Sequence, residues 1–369
     1  MVMTATTERR AEVQAQMADE GFDALLLCAP ADMLYVSGFR PTPFERLIAI
    51  VVPRGGPLRA LVPSLEEEAA RSALPSGTEL LVWRDEDGPR GALERSLDGL
   101  DGRIGIEKSY LTVSYFELAA SALPEASFKD CGPLLSSMRA VKDEAELDLL
   151  RRAGHVVDTA ITRLAAEELL PGRTEAELAA MAATFLREAG AEALAFDPTV
   201  LTGAKSALPH GVSDGTAVAE GDLVIVDIGA SVGGYCADIT RSFVVGTQPD
   251  SRQRELFEVV REAQTAGVRA ATAGALCRDV DVSARSVIEA AGLGRHFVHR
   301  TGHGLGLEVH EPPYLTSAND EPLQEGMVVT VEPGIYIEGY GGIRIEDDVV
   351  VRAGEPEVLT RAPTQLELI

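Results

Sequence analysis

Residues 223–244 read LVIVDIGASVGGYCADITRSFV, two apolar runs on either side of Gly233-Gly234, each carrying one aspartate. The stretch predicts strands Leu223–Ser231 and Tyr235–Val244 joined by the tight turn Ser231–Gly234. Asp227 interrupts the apolar run Leu223–Ile228, where an ionised carboxylate is expensive unless something pairs with it. Pairing the strands about the midpoint of the turn sets Asp227 directly opposite Asp238. Side chains so placed share a face with Cβ atoms about 4.5–5.5 Å apart. Two carboxylates held that close repel each other, and a cation between them removes the conflict.

A second stretch repeats the device. Residues 328–351 read VVTVEPGIYIEGYGGIRIEDDVVV, with Glu332 and Glu346 flanking the turn Glu338–Gly342. Pro333 interrupts the first of these strands and loosens its register. Residues 300–311, RTGHGLGLEVHE, add His303. Asp227, Asp238, His303, Glu332 and Glu346 together offer one imidazole and four negative charges, which two divalent ions neutralise. Two such ions at about 3.5–4 Å are suited to generating a hydroxide nucleophile and polarising a carbonyl. Oxygen-rich ligation with a single imidazole favours manganese, with cobalt as a substitute and zinc less suited.

These five residues, in this order and with GHGLGLEVHE and VEPGIY around His303 and Glu332, resemble the pita-bread metallopeptidases, the family of prolidase, aminopeptidase P, methionine aminopeptidase and creatinase. The resemblance is close from Lys142 onward and looser before it. It implies an α+β fold with a C-terminal pita-bread catalytic domain (136–369), preceded by a smaller α/β creatinase-like domain (1–135). The long N-terminal portion and the GHGLGLEVHEPP motif look like the Xaa-Pro peptidases. The implied activity is hydrolysis of the amide bond before proline in dipeptides or short peptides, as a dipeptidase of the prolidase type. The alternative is an aminopeptidase P acting on longer chains. A reading of a different class, a non-catalytic binding module on the same fold, is disfavoured by the complete ligand set.

The resemblance extends to further residues. His210 in SALPHG and His310, seven positions after His303, match family positions that contact the scissile carbonyl or stabilise the tetrahedral intermediate. Glu332, a carboxylate as well as a ligand, is the candidate to take a proton from water and pass it to the leaving nitrogen. His299 falls where relatives carry a histidine near the substrate. Arg344 alternates with Glu346 along one strand, so it is expected to orient a ligand carboxylate from behind. Tyr235 is expected to hydrogen-bond within the site or to pack. A dipeptidase must also recognise the free carboxylate of its proline, a task for a guanidinium. Some prolidases carry an arginine four residues after the catalytic histidine, where this chain has Tyr314. The loop Gly38–Arg46 offers Arg46 as a substitute, because the matching region of relatives faces the cleft of its own or a partner subunit. The resemblance implies a homodimer.

Composition narrows the alternatives. A net charge of −25 over 369 residues argues against nucleic acid, whose phosphates are bound by basic patches. The N-terminal stretch MVMTATTERRAEVQAQ has no apolar core of a signal peptide, and no run approaches a membrane span, so a cytoplasmic protein without membrane contact is expected. The four cysteines show no paired metal spacing. Outward from the two acidic stretches, apolar periodicity predicts helices at Thr7–Glu20, Leu65–Ser72, Arg90–Leu97 and Val113–Ala122. These alternate with strands at Ala24–Cys28, Leu47–Val52, Leu58–Val62, Glu79–Trp83 and Arg103–Glu107. After a boundary near Pro133–Lys142, Asp143 and Glu146 form a capping signature for a helix with the stripe Leu147, Leu150, Val157, Ile161 and Leu164. Further helices are predicted at Thr174–Ala189, Asp250–Ala271 and Val280–Ala291.

Overall fold

The computed structural model describes residues 2–42 and 45–365. The chain divides into two compact units, residues 1–139 and 140–369. In the first unit the elements run α1 (Val2–Glu20), β1 (Ala24–Leu27), α2 (Pro30–Ser37), β2 (Ala49–Pro53), β3 (Arg59–Pro63), α3 (Glu67–Ala73), β4 (Glu79–Trp83), α4 (Arg90–Leu97), β5 (Arg103–Ile106), α5 (Val113–Ala122), β6 (Ser127–Asp130) and α6 (Gly132–Ala140). Six strands form one mixed sheet in the order β4-β3-β2-β1-β5-β6. Central β1 is the wholly apolar Ala-Leu-Leu-Leu and is buried throughout, as a strand covered on both faces must be. The apolar faces of α4 and α5 close one side of the sheet through Leu93, Leu97 and Ala119. Helix α2 and strand β6 carry no apolar periodicity and are not foreseen in the sequence.

The second unit holds α7 (Glu144–Glu167), α8 (Glu175–Glu188), β7 (Ala193–Leu194), β8 (Thr199–Thr202), β9 (Leu223–Val232), β10 (Tyr235–Val244), α9 (Ser251–Ala270), α10 (Cys277–Ala290), β11 (Gly302–Gly304), β12 (Glu311–Leu315), β13 (Val328–Val331), β14 (Gly334–Ile337), β15 (Gly341–Arg344), β16 (Asp347–Val350) and β17 (Glu357–Val358). Asp143 and Glu146 exchange two 2.8 Å hydrogen bonds in a reciprocal cap of α7. The whole stripe Leu147, Leu150, Val157, Ile161, Leu164 is buried. With α8 it packs on one face of β9 and β10 through Val224, Val226, Ile228, Ala237 and Ile239. Helices α9 and α10 cover the β14–β15 hairpin through Phe257, Val260 and Ile288 against Ile335 and Ile343. Three sheets result, one built on β9 and β10, one ordered β12-β11-β13-β16-β17, and the β14–β15 pair.

Two expectations about the acidic hairpins need correction. Asp227 pairs with Thr240 and Asp238 with Gly229, so the two aspartates are diagonal neighbours on one face rather than directly opposed. The cause is the turn, which is two residues long: Gly233 and Gly234 both have positive φ, 59° and 86°, the backbone of a type I′ hairpin. The second acidic stretch is not one hairpin. Val328–Val331 pairs with Asp347–Val350, whereas Gly334–Ile337 pairs with Gly341–Arg344 in a separate sheet. Pro333 lies at one break between the sheets, and Glu332 and Glu346 occupy the breaks themselves.

Candidate metal centre

All five carboxylate and imidazole candidates, with His210, His299, His310 and Arg344, line one cleft of about 760 Å³ in the second unit. Each is delivered by a different local device. On β9 the odd-numbered residues share a face, and Gly229 lies between Asp227 and Ser231. A Cβ on Gly229 would lie 2.4 Å from the Phe196 ring, so its absence admits Phe196 to the cleft wall. Glu346 is joined to the metal-face strand by an isolated bridge to Thr240, with Glu346 N donating to Thr240 O at 3.2 Å. His303 stands between two glycines that cannot carry side chains. A Cβ on Gly302 would come within 1.9 Å of Thr330 O, and one on Gly304 within 2.4 Å of Pro312 O. Strand β11 is thereby pressed between β12 and β13 with its imidazole directed at the carboxylates.

Asp238, His303 and Glu346 each offer a ligand atom within 4.8 Å of the other two. The Nε2 atom of His303 lies 3.5 Å from Glu332 Oε1 and 4.0 Å from Asp238 Oδ2. Its Nδ1 faces Gly304 O at 3.0 Å, which commits the proton there and leaves the Nε2 lone pair free, the tautomer a metal requires. Burial pushes His303 down to about 3, so the ring is neutral. The buried Oδ1 atoms of Asp227 and Asp238 have no hydrogen-bond partner. Buried polar atoms are almost always satisfied, and two orphaned carboxylate oxygens beside an imidazole lone pair fit a cation.

The carboxylates also crowd one another. Burial, reinforced by Glu346 and Asp227, holds Asp238 well above the ordinary aspartate range. Burial and Glu346 do the same to Glu332. Glu346 is pushed up to about 7 by burial and Asp227, with Arg344 and a hydrogen bond from Thr240 opposing. The donor set, four carboxylates and one neutral imidazole, has the chemistry of a site for hard divalent ions.

Arg344 organises the carboxylates from behind. Its Nη2 donates to Asp227 Oδ2, its Nε to Thr240 Oγ1 at 3.0 Å and its Nη1 to the Tyr336 hydroxyl at 2.9 Å. Thr240 Oγ1 in turn donates to Glu346 Oε2 at 2.5 Å. The Tyr336 oxygen lies 3.0 Å from His299 Nε2. Burial and the Arg344 charge hold His299 down at about 4. His310 meets His303 edge to face, with ring centroids 4.2 Å apart. It is shifted below the usual histidine value by burial and Arg300. His210 sits on an exposed loop tip at the cleft.

Two expected site residues lie elsewhere. The Tyr235 hydroxyl donates to Glu146 at the start of α7, which takes it out of the set lining the cleft: β10 begins at Tyr235, where it meets the helix cap. Arg46 belongs to the first unit, where Asp85 receives its Nε and Nη2 at 2.9 Å each and Glu45 its Nη1 at 2.8 Å. Pro43 and Phe44 of the same loop lie outside the described residues. Sequence reading missed Thr240, Tyr336, Phe196 and Arg300, all ordinary in their local patterns. Arg300 lines the cleft with its guanidinium 4.3 Å above the Tyr314 ring.

Residues 148–353 match the model of metallopeptidase family M24, and residues 9–141 that of the creatinase/prolidase N-terminal domain. The chain is 35% identical to an Xaa-Pro dipeptidase of Pyrococcus horikoshii over 100% of both sequences. A prolidase structure from Thermococcus sibiricus superposes with a TM-score of 0.93 at 34% identity, covering 98% of this chain and 99% of that one. An X-Pro aminopeptidase structure from Thermotoga maritima superposes at 0.84, also at 34% identity, over 95% and 98%. With its carboxylate and histidine cluster set in a fold matched along nearly its whole length, the chain belongs to metallopeptidase family M24 and carries the creatinase/prolidase N-terminal domain ahead of the catalytic unit.

Proposed function

We propose that this protein is an Xaa-Pro dipeptidase that uses two divalent metal ions, manganese by preference. The observation that carries the reading is the cleft itself: orphaned carboxylate oxygens and a neutral imidazole converge beside three further histidines and two guanidinium groups. Asp227, Asp238, His303, Glu332 and Glu346 would hold the ions, which when bound supply Lewis acidity toward a carbonyl and an activated water. Glu332, raised by burial, is suited to accept a proton from that water and return it to the leaving proline nitrogen. His210, on the loop before β9, and His310, just before β12, both line the cleft and would donate hydrogen bonds to the carbonyl oxygen as charge develops on it. Burial raises Asp227 above the ordinary aspartate value while Arg344 opposes that push and, through Thr240, fixes Glu346.

Dipeptide selectivity requires a cation for the proline carboxylate. Arg46 can serve only by leaving Asp85 and Glu45. Arg300 stands in the cleft already, stacked on Tyr314, the residue found where some prolidases carry their arginine. We therefore assign the carboxylate to Arg300, with Arg46 as the alternative. A homodimer is proposed on the strength of the family resemblance, and a reducing, cytoplasmic setting is supported by four buried free thiols. Among the described residues no helix is long and apolar enough to cross a membrane.

The test is kcat/KM for a matched Xaa-Pro dipeptide and Xaa-Pro-Yaa tripeptide after manganese loading, in wild type, Arg300→Met and Arg46→Ala. Loss of a charge-assisted hydrogen bond worth roughly 1.5–3 kcal/mol lowers dipeptide turnover about 10- to 150-fold in the responsible variant and leaves the tripeptide less affected. A wild type that prefers the tripeptide, with a ratio neither variant changes, is an aminopeptidase P.

A further inference from the structure

Glu175 is a carboxylate with no exposed surface, far along the sequence from any metal candidate. A fully buried charge is costly unless paired and hydrogen-bonded, and the partners of this one form a pattern. Its Oε1 accepts the backbone N–H of Thr202 at 2.9 Å, and its Oε2 accepts the backbone N–H of Asp214 at 3.1 Å. Thr202 and Asp214 are the two ends of the segment Gly203–Ser213, which carries His210. Lys205, within the segment, donates to the same Oε2 at 2.5 Å and lies 2.8 Å from Asp214 Oδ2. One carboxylate thus clasps both stems of the histidine loop. It stands in the first turn of α8, where the helix dipole favours a negative charge. The helix backbone adds to the clasp, with Glu175 N donating to Thr216 O at 3.0 Å and Ala176 N to Asp214 O at 2.9 Å.

The loop tip depends on those stems. Leu208 is 54% exposed and Val212 77%, so the residues flanking His210 are not held by burial of their own. Besides Glu175, two serines stitch the segment to its surroundings. Ser213 Oγ accepts from Val200 N at 2.8 Å and donates to Val200 O at 3.0 Å. Ser206 Oγ accepts from Gly342 N at 2.8 Å, and Gly342 can carry no side chain because Ser206 O would lie 2.1 Å from its Cβ. Nearer the tip, Leu208 N donates to Lys205 O and Gly211 N to Leu208 O, each at 3.0 Å, bonds internal to the loop that shape it without tying it to the rest of the fold.

We propose that Glu175 is a positioning residue: by gripping Thr202 and Asp214 it sets where His210 stands over the carboxylate cluster. The assignment rests on the role given to His210 above. Glu175→Gln keeps the shape but replaces an acceptor of three hydrogen bonds by an amide whose NH2 faces donors, which splays the stems.

The experiment is a double-mutant cycle on the metal-loaded full chain with an Xaa-Pro dipeptide: wild type, Glu175→Gln, His210→Ala and the pair, each with metal content and thermal midpoint measured. Glu175→Gln is expected to lower kcat about 10-fold or more, part of the loss of about 10²- to 10³-fold typical of a removed oxyanion donor, with KM changed less than about 3-fold and metal content unchanged. In the His210→Ala background the same substitution is expected to change kcat less than about 2-fold, the non-additivity of residues acting through one another. Equal losses in both backgrounds, or none in wild type, overturn the proposal, since a general loss of stability acts regardless of His210. Glu175→Asp, which retains the charge against Lys205 but is too short to reach both amides, goes through the same cycle so that poor folding of the Gln variant does not decide the outcome. Absence of wild-type activity on any Xaa-Pro peptide, or full activity of His210→Ala, refutes the functional reading instead and is seen separately.

Discussion

The rings of His303 and His310 have centroids 4.2 Å apart yet are proposed to do different work, because of the two only His303 has an Nδ1 facing a carbonyl and an Nε2 facing carboxylates. His303→Ala is expected to lose bound metal. His310→Ala is expected to keep metal and lose about 10²-fold or more in kcat, as the loss of an oxyanion donor does. Metal analysis and steady-state kinetics on the two variants separate the roles, and identical behaviour would refute the division. A second expectation concerns Arg241, buried behind the site. Its guanidinium meets Asp347 Oδ1 at 2.7 Å and donates to Glu346 O and Ala362 O. Arg241→Met leaves Asp347 uncompensated and should cost about 3–5 kcal/mol, read as a fall in the urea midpoint. The carboxylates that converge on the cleft stood out because a charge inside an apolar run needs a reason. Arg241, Thr240, Tyr336 and Glu175 were not, since their importance lies in partners more than a hundred positions away in some cases, such as Thr240 and Glu346, and no local pattern marks them.

At the scale of elements the capped helix α7 and the strands β9 and β10 were readable nearly to the residue, since periodicity, capping pair and diglycine turn agree with one another. The register of the hairpin was not. Reading the turn as four residues instead of two moved each pairing by two positions, which preserves the face but not the partner. Glycine was the harder signal still: Gly302 and Gly304 look like loop residues but are places where β11 meets carbonyl oxygens. Gly302→Ala is expected to push β11 from Thr330 and displace His303, weakening metal binding in titration while leaving the α7 region intact by circular dichroism. Glu357 offers a test by pH. Arg151 and Arg352 hold its carboxyl down at about 2, below the ordinary glutamate value, so its stabilising effect is full above about 4.5 and disappears as pH falls toward 2. Glu357→Gln should therefore reduce stability by about 1 kcal/mol near pH 7 and match wild type near pH 2. Urea midpoints against pH measure this, and an unchanged gap across the range would refute it.

For the whole molecule, every proposed metal ligand lies between residues 227 and 346, inside the second compact unit. Metal binding stabilises whatever folds with the site by mass action. Calorimetry at increasing manganese is expected to raise the transition of the second unit and leave that of residues 1–139 in place. Concerted movement of all unfolding heat would show instead that the two units melt as one. Alternating helix and strand patterns disclosed the first unit as α/β, while α2, opened by Pro30 and buried at polar Asp32 and Ser37 as well as at its apolar positions, has no apolar stripe to mark it.

Glu332 and Glu346 sit where the backbone leaves one sheet for another, each at a gap in the regular ladders bridged by a backbone bond of its own, Glu332 N to Thr301 O at 2.8 Å and Glu346 N to Thr240 O at 3.2 Å. Such a gap is ordinarily a weak place, the first to open when a protein breathes. Here the opening would carry two proposed ligands away from Asp238 and His303, so a departing ion would loosen the seam and an arriving one would close it. Amide hydrogen exchange should record this as slower exchange across 331–334 and 344–347 on metal loading, a local tightening that a melting temperature averages away. The chain would then sense its own metal content through the tempo of its backbone, in the few residues where three sheets meet.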